Sequence, residues 1–221
     1  STSRGLGDVY KRQVILRGED TDFTAGNDMQ DFMKSAAQKG QAPAAEGPPF
    51  ILLKSAAKFS KPLIAAVRGV AIGIGVTILL HCDLVYSDNT ALFQIPFVSL
   101  GLSPEGASSK LLVEQAGYHK AAELLLTAQK FDSATAVAAN LVNSIEDDVY
   151  AAAAKKAAQL SALPLASLVQ SKALMKHNVN EIVAWIDHEA EIFMDRVGSP
   201  EMMEAVSAFM QKRKPDFTQF N

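Results

Sequence analysis

Short apolar runs set the pattern in the first half of the chain, and apolar residues at helical spacing set it in the second. Val14-Ile15-Leu16, closed by Arg17-Gly18, reads as a short buried strand. Phe23-Thr24-Ala25-Gly26-Asn27-Asp28 reads as a loop that enters a helix with Asp28 as its N-cap. Residues 34–49, KSAAQKGQAPAAEGPP, lack a sustained apolar face and are expected to form a mobile loop. Phe50 to Leu53 with Ala56, Ala57 and Phe59 restores helical spacing, and Pro62 opens a strand over Leu63 to Val67. An apolar helix is expected around Val76 to Leu80, then short strands at Asp83 to Tyr86 and Ala91 to Gln94. From Ala107 onward no strand pattern of useful length is visible. Helical patterns follow at 107–116, 118–128, 133–139, 148–161, 164–176, 181–197 and 200–213, with breaks at Gly117, Asn140, Pro164 and Gly198-Ser199-Pro200. Strands that alternate with helices, followed by helices alone, predict an α/β fold with a helical C-terminal region. The face made by Ile182, Trp185, Ile186, Ile192, Phe193 and Met194 is too apolar to be solvated, so it packs on the domain or on another subunit.

Ahead of the apolar helix, Gly69, Ala71, Gly73 and Gly75 place a minimal side chain at every second position. Small residues leave amide groups uncovered, and a helix start adds unpaired N–H donors. Such a backbone can hold an oxyanion. It also suits a crowded strand-to-helix crossing, and glycine spacing by itself favours the crossing. A dinucleotide fingerprint fails, because Ile78 stands where its third glycine belongs. Val70 to Leu80 is also well short of the roughly 20 residues that span a bilayer.

With 221 residues and 48% hydrophobic content, the chain can bury one substantial core. A net charge of −3 gives no basic surface, so no nucleic-acid partner is expected, and no membrane. The basic run Lys212-Arg213-Lys214 reads as a solvated helix end or as a phosphate contact. Cys82 is the sole cysteine and is expected in the core; it excludes an intrachain disulfide. The histidines, at 81, 119, 177 and 188, have no ligand spacing, so no metal is expected. Without a secretory signal or a peroxisomal C-terminus, a cytoplasmic protein is expected. Residues 1–13 lack periodicity and read as a disordered or foreign tail.

Two loops and one acid together resemble the crotonase (enoyl-CoA hydratase/isomerase) superfamily. Phe23-Thr24-Ala25-Gly26-Asn27-Asp28 is similar to its F-x-A-G-x-D loop. Lys61 to Gly73, KPLIAAVRGVAIG, is similar to its K-P-x-I-A-A-V-x-G-x-A-x-G segment, and Cys82-Asp83 fits as well. The resemblance implies a spiral of ββα units, with a core over 14–140 whose N-terminal part is missing and a helical trimerisation region over 141–221. It also implies an acyl-CoA thioester as substrate, no further cofactor, and a homotrimer or hexamer. By motif position, the backbone N–H groups of Asn27 and Ile74 form an oxyanion hole, and Thr24, Ala25 and Gly26 lie against the adenine end of CoA. Ser207 to Lys214 is similar to the family's S-A-F-x-x-K-R-K helix, which implies CoA contacts at Phe209 and Lys212, from a neighbouring subunit in an assembled protein.

The hydratase pattern is broken, because its two glutamate positions hold Thr77 and Phe97, and neither can act as a general base at neutral pH. Ser103-Pro104-Glu105-Gly106-Ala107-Ser108-Ser109 instead resembles the S-P-E-G-x-S-S segment of peroxisomal-type 3,2-enoyl-CoA isomerases, whose catalytic glutamate falls on Glu105. Taken alone, Glu105 reads as an acid at a helix start. Within the resemblance it is the base, with Thr77, Phe93, Phe97 and Leu100 around the acyl group and a pKa raised by enclosure. The implied reaction moves a double bond from C3 to C2 of an enoyl-CoA. Hydration, dienoyl isomerisation, dehalogenation and non-catalytic acyl-CoA binding are the alternatives.

Overall fold

In the computed structural model, residues 11–27 and 44–220 are described. The expected N-cap at Asp28 and residues 34–43 of the expected loop lie outside them. Among these residues, seven strands, β1 (Val14–Arg17), β2 (Leu63–Val67), β3 (Val70–Ile72), β4 (Leu84–Ser87), β5 (Leu92–Gln94), β6 (Lys130–Asp132) and β7 (Ser144–Ile145), form two sheets. One is parallel in the order β1-β2-β4-β7; the other has the order β3-β5-β6, with β3 and β5 parallel and β6 antiparallel. The helices are α1 (Pro48–Lys58), α2 (Ile74–Thr77), α3 (Ser108–Ala116), α4 (Tyr118–Thr127), α5 (Ser133–Ala138), α6 (Val149–Ser161), α7 (Leu165–Met175), α8 (Val179–Arg196) and α9 (Pro200–Met210).

All five residues of β2 are buried, as expected for a parallel strand covered on both faces. Leu63, Ala65 and Val67 join the main core, while Ile64 and Ala66 meet Val149, Ala153 and Ala157 of α6 on the other side. The alternation follows from the two-residue period of a strand, and the alanines let α6 approach closely. Gln13 donates from Nε2 to Ala157 O at 3.2 Å and to Ser161 Oγ at 2.7 Å, so this residue of the expected tail packs on α6. Residues 1–10 lie outside the described part.

Ile182, Ile186, Ala190 and Phe193 of α8 enter the main core of their own chain. Phe193 meets Phe50 of α1 edge-to-face at 5.9 Å, and Lys54 pairs with Asp187 at 2.8 Å. Most of the greasy face that left two partners open is therefore used within the chain. Trp185 and Ile192 turn partly outward.

Several element expectations need correction. The apolar helix has only four α-helical residues and continues as a 3-10 turn over Ile78–His81. The chain tightens there because it must re-enter the sheet at Leu84: Asp83 accepts from Leu63 N at 2.7 Å and from the buried Lys172 at 2.6 Å. Cys82 follows this turn and is half-buried against the core rather than fully inside it, and burial pushes its thiol up to about 12. Residues 44–49 are not all loop, since a 3-10 turn forms at Ala44–Glu46 and Pro48-Pro49 open α1, where prolines sacrifice no hydrogen bond. Beyond Ala107 the strands β6 and β7 have only three and two residues, too short to show alternation, in keeping with the absence of any strand pattern of useful length there. The last helix stops at Met210, and Lys212 is left-handed at φ 53°, so the basic run lies beyond the helix.

Candidate active site

The loop at Thr24 runs as an extra edge beside β3. Thr24 N donates to Val70 O at 2.9 Å, and Ile72 N donates back to Thr24 O at 3.0 Å. The turn after β3 presses against the same loop. A Cβ on Gly75 would stand 2.5 Å from Thr24 Cγ2 and 3.2 Å from Thr24 O, so only glycine allows this approach. The small-residue run is thus a crowded crossing, and the crossing brings Thr24 to Gly26 alongside the start of α2. Ile74 heads α2, where its N–H has no carbonyl to meet inside the helix. Asn27 and Ala25 are exposed, and Gly26 N donates to Thr24 Oγ1 at 3.1 Å.

Glu105 lies in the turn ahead of α3 and is 4% exposed. Thr77 of α2, wholly buried, donates from Oγ1 to Glu105 Oε1 at 2.5 Å. Glu105 Oε2, Ser103 Oγ and Ser108 Oγ are buried without a hydrogen-bond partner among the described residues. Buried polar atoms are rarely left unpaired, so three in one short turn mark a place where a polar group is to be received. Burial pushes the Glu105 carboxyl up to about 7; the Thr77 bond pulls against the rise, and the charge of Glu189 adds to it. A carboxylate in this state accepts a proton near neutral pH.

The turn itself is tight. Gly106 has φ 75° and would place a Cβ 3.2 Å from both Thr77 and Leu53 side-chain carbons, so a larger residue after the acid would be strained and crowded. His81, wholly enclosed, meets Gly106 O at 2.8 Å through Nε2, and because a carbonyl only accepts, Nε2 carries the hydrogen. Burial, with a smaller push from Lys176, holds this imidazole down at about 4, so it is neutral at ordinary pH. On the other side Glu189 of α8 accepts from Ala107 N at 2.6 Å and from Ser109 N at 3.0 Å.

The other expected residues divide. Phe97 is buried, edge-to-face with Phe193 at 6.0 Å, and its ring is the nearest group to the open side of Gly73. Leu100 is half-buried and packs on the core. Phe93 is fully buried and stacks on Phe131 at 5.4 Å between β5 and β6. Phe209 is 67% exposed and Lys212 exposed; among the described residues no hydrogen bond or ring contact joins either to the Thr24 loop. No three His, Cys, Asp or Glu residues are grouped to hold a metal, and no helix is long and apolar enough to cross a membrane, among the described residues. A surface groove lined by Arg68, Asp88, Thr90, Glu146 and Tyr150 shares no residue with this site, and its acids do not suit an anionic ligand.

Glu189 and His81 are the residues that sequence reasoning missed. Glu189 had a readable signal: it is an acid inside the stripe Ile182, Ile186, Ala190, Phe193, where a solvated face is excluded. His81 had none beyond its place at the end of an apolar run.

A model of the enoyl-CoA hydratase/isomerase family matches residues 7–220. The chain belongs to this family, in the crotonase superfamily. A solved structure from Acinetobacter baumannii, of a protein assigned as an enoyl-CoA hydratase/isomerase, is 68% identical with a TM-score of 0.84, covering 87% of this chain and 80% of that one. Enoyl-CoA delta isomerase 2 of Rattus norvegicus is 33% identical over 215 residues, 91% of this chain and 52% of the relative. The 2,3-dehydroadipyl-CoA hydratase of Escherichia coli K12 is 29% identical over 206 residues, 92% of this chain and 79% of the relative. The crotonase-type α/β fold with its helical C-terminal region is thereby shown, and an enoyl-CoA hydratase/isomerase activity is supported. Both reactions occur among the relatives' names, so which of them this chain performs rests on its own residues.

Proposed function

We propose that the protein is a 3,2-enoyl-CoA isomerase in which Glu105 is the only catalytic base. The observation that carries this reading is the state of Glu105: buried, raised to about 7, with Oε1 tied to Thr77 and Oε2 unpartnered. In the proposed reaction Oε2 takes a proton from C2 of the 3-enoyl thioester. The C2–H electrons move into the C1–C2 bond and the carbonyl pair onto oxygen, giving a dienolate. The N–H groups of Asn27 and Ile74 receive that oxygen; a single oxyanion-hole donor typically contributes about 3 kcal/mol to such a transition state. The dienolate then takes the same proton back at C4, leaving the double bond between C2 and C3 and Glu105 ionised again. No water is consumed.

Hydration needs a second carboxylate to hold and activate water. The Thr77 hydroxyl and the Phe97 ring occupy the positions where hydratases carry theirs. Glu189 is a second buried acid, yet both its oxygens already accept hydrogen bonds, which disfavours it as a water activator. A substrate panel tests the reading. A 3-enoyl-CoA should gain the ultraviolet absorbance of a conjugated thioester, while a 2-enoyl-CoA should lose little by hydration; the reverse result would make the protein a hydratase.

The base works only when ionised. With its carboxyl raised to about 7, kcat/KM should climb with pH through that region and level off above it. Initial rates across the range check this, and a profile that stays flat down to about pH 5, a unit or so above the ordinary glutamate value, would contradict it.

The exposed Phe209 and the basic run from Lys212 are proposed to complete the CoA site of a neighbouring subunit in a homotrimer or hexamer. Light scattering should find three or six chains at micromolar concentration, and a monomer with full activity would remove this assignment.

A further inference from the structure

A carboxylate on the inner face of a helix is costly unless donors receive it. Glu189 stands on the face of α8 that otherwise carries Ile182, Ile186, Ala190 and Phe193, and it is 4% exposed. Its donors all come from the start of α3: Ala107 N at 2.6 Å, Ser109 N at 3.0 Å and Ser109 Oγ at 2.5 Å. Trp185 Nε1 donates to the same Ser109 Oγ at 3.0 Å, which turns the hydroxyl hydrogen toward the carboxylate. No side chain of the α3 segment caps its own helix. The cap position is Ala107, held left-handed at φ 61°, a conformation that an alanine adopts only under constraint. The carboxylate of a helix 82 residues away therefore does the capping.

The same turn carries Glu105, two residues before Ala107. His81 holds it through Gly106 O, and Glu189 holds it through Ala107 N and Ser109 N. We propose that Glu189 is a positioning residue for Glu105: it clamps the turn that aims the base and, in its ionised form, sets a negative charge beside it. Burial raises the Glu189 carboxyl, and its hydrogen bonds from Ser109, Ala107 and Ser108 pull against that rise and hold the ionised form. The charge has a chemical consequence, because Glu105 becomes neutral when it takes the C2 proton. A neighbouring anion favours the neutral form and so makes Glu105 a stronger base. Its effect on Glu105 has that sign.

Few other groups compete at this point. Thr77 does not titrate, and His81 stays neutral above about 4. On the surrounding helices Lys54 is paired with Asp187, and Lys110 with Glu114 and Glu181. Lys176 faces His81 O and Asp83.

The proposal rests on Glu105 being the base, so its test needs a signal besides turnover. Protein labelled with 13C at glutamate carboxyls gives a Glu105 resonance that is recognised by its loss in Glu105→Gln. In Glu189→Gln its titration midpoint should move down. Turnover of a 3-enoyl-CoA should fall roughly tenfold or more, the scale on which small misplacements of reacting groups act. The Kd for a saturated acyl-CoA should change little. Glu189→Asp keeps the charge but draws it back by one methylene, so it should lower kcat while holding the midpoint above that of the Gln variant, and it serves alone if the Gln variant does not fold. A purely structural cap would lower Tm and leave the midpoint in place. An unshifted midpoint in folded Glu189→Gln, or wild-type midpoint and kcat in Glu189→Asp, overturns the proposal. If wild-type protein isomerises no 3-enoyl-CoA, the reaction assignment fails, while the midpoint still decides whether Glu189 acts on Glu105.

Discussion

Glu105→Gln should lower kcat for a 3-enoyl-CoA by at least about 10²-fold while leaving acyl-CoA affinity close to wild type. The amide keeps the shape and can still accept from Thr77, but it cannot take a proton. The Thr24 loop and the amides at Asn27 and Ile74, the groups proposed to hold the acyl-CoA, are untouched, so binding should be spared. An undiminished rate in the folded variant would remove Glu105 as the base and, with it, the isomerase reading. The same variant should be more stable than wild type in mild alkali. The folded-state carboxyl is raised from 4.5 to about 7, so its contribution to stability is complete below the ordinary value and disappears as pH rises through about 7. Up to about 3 kcal/mol is at stake above that range, since each unit is worth about 1.4 kcal/mol. Thermal unfolding at about pH 8 should show a higher Tm for Glu105→Gln, and the two proteins should converge at about pH 4, where both carry a neutral group.

Phe193→Ala should destabilise the fold by about 3–5 kcal/mol, the usual cost of removing a buried aromatic ring. Phe193 is 4% exposed and meets Phe50 of α1 and Phe97 in edge-to-face contacts, so its loss leaves a void where α8 crosses the core. A cost of this size is a large part of the 5–15 kcal/mol available to a typical domain. Denaturant unfolding measures it directly; a change below about 1 kcal/mol would mean that the site collapses without penalty.

The strands that pack a core on both faces were legible because burial forces a continuous apolar run, and Leu63–Val67 appears where its pattern places it. Helices from α3 to α8 were legible within one or two residues for the same reason, at the period of a helix. What failed was short or was set at a distance. β6 and β7 exist because neighbouring strands offer open edges, a fact that three residues of local sequence do not contain. The central helix gives way to a 3-10 turn because Asp83 is caught by Leu63 N and Lys172, partners 20 and 89 residues away. In the site, Glu105 was readable as a motif, while its hydrogen bond from Thr77, 28 residues earlier, was not. Phe93 was grouped with the acyl pocket as an apolar neighbour of Glu105; the structure adds that its ring stacks on Phe131 of β6, a contact that local sequence does not contain. The grip of Glu189 on Ala107 joins helices that nothing in local sequence links.

That grip also orders events in time. Glu105 is made near mid-chain, but the carboxylate that caps its turn follows Ala107 by 82 residues, on a helix that must dock before the strained alanine is held. Contacts of such long sequence separation form late, because the intervening chain must first give up its freedom. A partly made or partly refolded chain can thus carry its sheets and the Thr24 loop while Glu105 remains loosely aimed. On the proposed reading, competence for proton transfer is acquired late, together with the docking of α8.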